Sequence, residues 1–276
     1  MKHTAIVTTV LILLFLITQI TGLLIIKNYL PKETLPFNIE KPEIAEETSF
    51  IPLFITIIIA TIVAFILIKF SAFRLWKLWF FISIFACLLI ALAAFIPELI
   101  ALPIAFISTA FRIFKPNFII HNLTEIFIYG GLAAIFVPVL SIFSITILLV
   151  LISFYDMIAV WKTKHMIKLA KFQTKSRMFA GLLVPYQIPH KIKTKESQKL
   201  EPGRTAILGG GDMGFPLLFA GVVLKTSNFL NSFIIVLTTT ITLFLLFYFA
   251  KKKKFYPAMP FLSLGCFAGY LITLTI

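Results

Sequence analysis

Apolar residues run along this chain in long blocks separated by short polar stretches. Nine blocks can be drawn as helices in lipid: residues 5–26, 50–68, 78–96, 98–114, 122–137, 139–161, 205–224, 229–250 and 255–276. About 20 apolar residues cross the roughly 30 Å hydrocarbon layer at 1.5 Å per residue. The pattern therefore predicts an all-α polytopic membrane protein with nine transmembrane helices. The fourth and fifth blocks are the weakest, and Pro103 interrupts the fourth. A re-entrant pair is the alternative there, and it leaves the orientation of later spans unchanged. The first block is longer than a signal-peptide core and lacks a small-x-small cleavage site, so it reads as a retained span.

The polar stretches define the organisation. Residues 1–276 form one membrane domain: 1–161 hold spans one to six, 162–204 a basic loop, and 205–276 spans seven to nine. The loop is expected to be partly disordered, with an interfacial helix or strand at its less polar patch, residues 178–188. Between spans one and two, Pro31, Pro36 and Pro42 suggest an extended connection. No internal repeat is visible.

Composition agrees with the pattern. The hydrophobic share is 60%, mean hydropathy is +1.03, and 13% of residues are charged. A soluble domain is excluded. Cys87 and Cys266 both lie in apolar blocks, so no disulfide framework is implied.

The net charge of +14 could suggest nucleic acid, but its distribution gives a simpler reason. With the N-terminus in the cytoplasm, 21 of the 25 basic residues fall on that side. They are Lys2; Lys69, Arg74 and Lys77; Arg112 and Lys115; eleven within 162–204; and the four lysines 251–254. Lys27, Lys32, Lys41 and Lys225 fall on the other side, with Glu33, Glu40, Glu43, Glu46 and Glu47. The positive-inside rule then predicts N-in and C-out, in a multi-pass cell-membrane protein that needs no nucleic acid. The lysines 251–254 serve as a topology anchor and could also meet anionic headgroups.

The chemistry rests on the two aspartates in the chain, Asp156 and Asp212, each inside an apolar block. A carboxylate there costs at least a few kcal/mol, which marks a functional site. Asp156 stands about five residues before the end of span six. Asp212 stands about seven after the start of span seven. Those depths are roughly 8 and 10 Å below the same surface. Consecutive antiparallel helices bring the two carboxyls to one level, where they would share a proton. One could then activate water while the other polarises a peptide carbonyl. Gly209-Gly210-Gly211 precedes Asp212. The glycines weaken the helix start and admit another backbone. An extended segment at 205–208 could pair with an opened substrate strand. Pro257-Ala258-Met259-Pro260 opens span nine from the same face.

These residues carry a resemblance. Tyr155-Asp156, the Gly-x-Gly-Asp of residues 209–212, and Pro257-Ala258-Met259 resemble the three motifs of the presenilin and signal peptide peptidase family of intramembrane aspartyl proteases. Their order and their spans match too, and the resemblance covers the whole chain, as in an archaeal-type presenilin homologue. It implies a nine-span fold with Asp156 and Asp212 as the catalytic pair. It also implies that Tyr155, Gly209, Gly210, Gly211, Pro257, Ala258 and Met259 shape the substrate site. Met259 departs from the family's usual leucine, a mild exchange in a packed site. The expected substrates are transmembrane segments or signal peptides, entering sideways from lipid and cut near the cytoplasmic side. Membrane lipids are the other expected partners. Oligomers of identical chains are compatible with this reading, and no obligatory partner or cofactor is expected.

Other residues carry less specific signals. Asn122 and Glu125 have capping-box spacing at the start of span five. His3, His121, His165 and His190 show no metal-ligand spacing, and neither HExxH nor Gly-x-Ser-x-Gly occurs. Gly265 and Gly269 suggest helix packing. The rival function is ion- or proton-coupled transport through the same Asp pair. A structural membrane subunit is a third reading, which leaves the matched depths unexplained.

Overall fold

The computed structural model describes residues 4–42, 45–70, 72–115, 117–162, 178–186, 205–250 and 256–275. The apolar blocks fold as helices: α1 (Ala5–Tyr29), α2 (Phe50–Lys69), α3 (Phe73–Ala93), α4 (Glu98–Phe114), α5 (Phe118–Phe136), α6 (Ile142–Met157), α7 (Gly210–Thr226), α8 (Phe229–Phe249) and α9 (Met259–Thr273). Most of the basic stretch 162–204, with its expected disorder, and the lysines 251–254 lie outside the described residues.

Among the described residues six helices are long and apolar enough to cross a membrane: α1, α2, α3, α5, α6 with its extension to Lys162, and α8. The other three, α4, α7 and α9, have 17, 17 and 15 residues. Pro103 does not break α4, which runs through it. At 1.5 Å per residue the short helices reach only about 22–26 Å, less than the hydrocarbon thickness. The shortness of α7 and α9 has a local cause. Residues 205–209 are a strand rather than the first turns of span seven, and Pro257 and Ala258 precede the helix in span nine. Both helices thus begin several residues inside their apolar blocks.

The core is built around α1, which packs on α5, α7 and α8. Leu11, Phe15 and Leu23 of α1 are fully buried with Leu217 and Phe219 of α7. Small residues let helices touch. A Cβ on Gly265 or Gly269 would come within 3.0 Å of α8 atoms, so the packing reading of these two glycines holds. Outward faces remain apolar, as at Ile59, Leu99 and Phe249, which suits a lipid solvent. α2 is the least enclosed span, with 11% of its residues buried.

Two hairpins complete the fold. The expected extended connection after α1 contains a short one, β1 (Thr34–Leu35) with β2 (Ile39–Glu40). Phe37 and Asn38 turn it with positive φ of 60° and 56°. The second hairpin joins β3 (Gly181–Pro185) to β4 (Thr205–Gly209), antiparallel, with Leu182 opposite Leu208 and Leu183 opposite Ile207. The less polar loop patch is thus a strand. Leu182 and Leu183 are buried rather than interfacial. β3 packs on α1, α5 and α7, whereas β4 is the outer strand among the described residues, running straight into α7.

Candidate active site

Helix starts carry N–H groups with no helical partner, and α7 and α9 both offer such ends inside the bundle. In α7, Gly209 is the N-cap, in extended conformation, and Asp212 stands in the first turn. A Cβ built on Gly209 would lie 3.3 Å from Asp212 Oδ2, so the carboxylate folds back over the helix entrance. Glycine leaves it that room.

Asp156 meets the start of α9. It is 5% exposed, one residue before the end of α6. Its Oδ2 accepts the main-chain N–H of Met259 at 3.1 Å. Met259 is the first residue of α9, and Pro260 follows it. The carboxylate of one helix therefore caps another, at the end where the helix dipole favours an anion. Ser153 and Ser263, with hydroxyls 2.9 Å apart, tie the same two helices one turn away. Beyond Met157 the chain continues through a wider π-type turn, Ile158–Lys162, a device frequent at functional sites.

The predicted site residues fall into two groups. Asp156 and Met259 are in direct contact, with Pro257 and Ala258 immediately before. Gly209, Gly210, Gly211 and Asp212 form the β4–α7 junction. α6, α7 and α9 pack on one another, which brings both groups into one region. Tyr155 also reaches α2: its hydroxyl donates to Thr61 Oγ1 at 3.2 Å, linking α6 to the least enclosed span. The three glycines are not equivalent. A Cβ on Gly210 would lie 2.6 Å from the Tyr129 hydroxyl, whereas one on Gly211 would meet only the Phe215 ring, at 3.6 Å.

Other buried polar residues lie outside the three motifs. Gln19 of α1 donates to the Met213 carbonyl at 2.9 Å, beside Asp212. Arg112 of α4 is 4% exposed and forms a buried ion pair with Glu125 of α5. It also bonds to Thr124 Oγ1 at 2.6 Å and to the Phe179 carbonyl at 3.2 Å. His121 Nε2 lies 2.7 Å from the Gly181 carbonyl. Asn122 bonds both main-chain groups of Leu183: its amide donates to the carbonyl at 2.7 Å and accepts the N–H at 3.0 Å. The capping-box reading of Asn122 and Glu125 is thereby corrected. α5 starts at Phe118, and its N-cap is Asn117, which accepts from Ile119 N. Arg112 is likewise a buried partner rather than a loop charge. The signal available in sequence is a base in the last turn of one span and an acid two turns into the next.

Among the described residues no group of three or more His, Cys, Asp or Glu side chains is placed to hold a metal ion.

The geometry can be set beside known proteins. No curated protein matches the sequence. The fold is similar to solved structures of a presenilin family intramembrane aspartate protease. Its C222 crystal form aligns with TM-score 0.66 at 19% identity, covering 97% of this chain and 98% of that one. The P2 form aligns with TM-score 0.64 at 20% identity, covering 96% of each. At these identities the likeness establishes the fold. The sequence itself goes further, because residues 12–276 match the family described as signal-peptide peptidase, presenilin aspartyl protease. The chain therefore belongs to the signal-peptide peptidase and presenilin family of intramembrane aspartyl proteases and is a peptidase.

Proposed function

We propose that this protein hydrolyses peptide bonds within transmembrane segments, with Asp156 and Asp212 as the catalytic pair. The observation that carries the reading is the capped carboxylate of Asp156 at the start of α9, with Asp212 at the start of the neighbouring α7. In the resting state one proton is shared between the carboxyls. The ionised member takes a proton from water as the water oxygen attacks the scissile carbonyl carbon. The protonated member gives its proton to the carbonyl oxygen. The resulting gem-diol collapses, and the C–N bond breaks as the amine leaves with a proton from the pair.

The substrate must be unwound before attack, because a helix shields its peptide bonds. The outer strand β4, at the entrance to Asp212, supplies main-chain partners for the opened segment, which would otherwise leave costly unmet groups in lipid. Gly211, where a Cβ would meet only the Phe215 ring at 3.6 Å, gives the approaching backbone room. The basic-residue distribution supports an N-in, C-out orientation and a site towards the cytoplasmic side of the cell membrane. The test is incubation of the purified protein with a single transmembrane peptide, followed by mass spectrometry. Internal cleavage that disappears in Asp156→Ala supports the reading. Intact peptide throughout overturns it.

A further inference from the structure

A two-stranded hairpin has two outer edges, and either could pair with an incoming strand. In this protein the edges differ. Residues directly opposite in an antiparallel pair alternate between exchanging hydrogen bonds with each other and pointing them away. Leu183 gives both its N–H and its carbonyl to Asn122. Its main chain therefore faces away from β4, and the Leu183–Ile207 pair is of the non-bonded kind. The Gly181 carbonyl, two residues away and on the same side, goes to His121. The Gly210 N–H to Ala180 carbonyl bond, at 3.1 Å, keeps the same alternation at the end of the ladder. By parity, Leu182, Val184, Ala206 and Leu208 carry the cross-strand bonds. Thr205 and Ile207 turn their main-chain groups to the outer edge of β4, and the Ile207 side chain is 38% exposed.

The geometry points to a clasp: Asn122, flanked by His121, closes the outer edge of β3 and so leaves β4 as the edge, free among the described residues, that receives substrate beside Asp212. The clasp has its own foundation. Arg112 and Glu125 join α4 to α5 in the interior, and Arg112 also holds the Phe179 carbonyl just before β3. Asn122 does for β3 what a third strand would do, with two hydrogen bonds from one side chain. The consequence is a single docking register rather than two competing ones. It also gives a pre-ordered edge, which lowers the ordering cost of binding. Asn122 is thus a positioning residue, and the inference rests on the proteolytic reading above.

The test uses the full-length protein in detergent with Asn122→Leu, which removes both bonds at similar size. A second variant, Asn122→Asp, keeps an acceptor for Leu183 N–H and loses the donor to its carbonyl. Cleavage of a transmembrane peptide should show KM raised about tenfold with kcat within about twofold, because binding order is lost and chemistry is not. Hydrogen exchange should quicken at Leu182, Val184, Ala206 and Leu208 while α5 and α7 stay protected. Asn122→Asp should move both readouts in the same direction. Unchanged KM and exchange in Asn122→Leu overturn the clasp. Loss of protection along α5 and α7 as well, in both variants, also overturns it, since the residue would then support the whole fold. A native protein that cuts no transmembrane peptide would remove the proteolytic reading, and the exchange arm would still decide the clasp.

Discussion

Met259 gives its main-chain N–H to the Asp156 carboxylate across 3.1 Å, so the contact between the third motif and the first aspartate does not depend on the Met259 side chain. That side chain is 3% exposed and packs in the main core. Met259→Leu should therefore retain cleavage within about threefold and change stability by less than about 1.5 kcal/mol. Cleavage kinetics and thermal unfolding in detergent check both. A loss of a hundredfold or more would mean that the thioether itself acts in the site.

Asp156→Ala and Asp212→Ala should each abolish cleavage while the protein stays folded. The two act as a unit, so the double variant should be no worse than either single one. Asparagine should fail at both positions, since an amide cannot exchange the proton. A folded single variant with near-native turnover would remove that residue from the catalytic pair.

The glycines of the β4–α7 junction should separate by phenotype. Gly210→Ala drives a methyl into the Tyr129 hydroxyl and ring, with contacts of 2.6–3.3 Å. Overpacking of this kind costs about 1–3 kcal/mol, so Gly210→Ala should lower the unfolding temperature. Gly211→Val meets only Phe215 at ordinary distance. It should leave stability nearly unchanged and sharply reduce cleavage, because its branched side chain fills the space the substrate backbone needs. Equal stability losses at the two positions would contradict this separation.

The buried Arg112–Glu125 pair predicts a compensating double variant. Removing one partner strands a charge in the interior and typically costs about 3–5 kcal/mol. Arg112→Met should therefore be strongly destabilised. Arg112→Met combined with Glu125→Leu should recover much of the loss in a detergent unfolding titration. An additive double variant would show that the two charges are not coupled.

Much of this architecture is legible in the sequence because the bilayer imposes a length and a polarity on each element. Span four, 98–114, coincides with α4, and the aspartates stand out against apolar surroundings. Less legible are contacts between distant segments. β3 and β4 pair across about twenty intervening residues, and neither strand has a local signature strong enough to identify its partner. Asn122 and Glu125 at capping spacing look the same whether they cap a helix or face inward. Phe118, four residues upstream of Asn122, is the actual helix start, and it turns both side chains towards β3 and Arg112. The apolar pattern predicts a helix with an extended entry at the start of span seven, and its first five residues form β4 because Gly209 ends the strand and caps α7.

On the proposed reading β4 and Gly211 serve substrate unwinding, and this can be tested from the substrate side. A continuous apolar helix must give up its own hydrogen bonds before its chain can lie along Thr205 and Ile207. Each glycine or proline near the scissile bond lowers that cost, by roughly 1 kcal/mol for glycine and 3 kcal/mol for proline relative to alanine. If unwinding limits the rate, one glycine should raise cleavage by about fivefold. A proline placed outside the strand-paired residues should raise it more. A proline at a paired position should lose the benefit, because it has no N–H to give β4. Peptides differing only at these positions, compared by initial rates, make the measurement. If uninterrupted and broken helices are cut equally fast, unwinding is not limiting and the edge of β4 has another use.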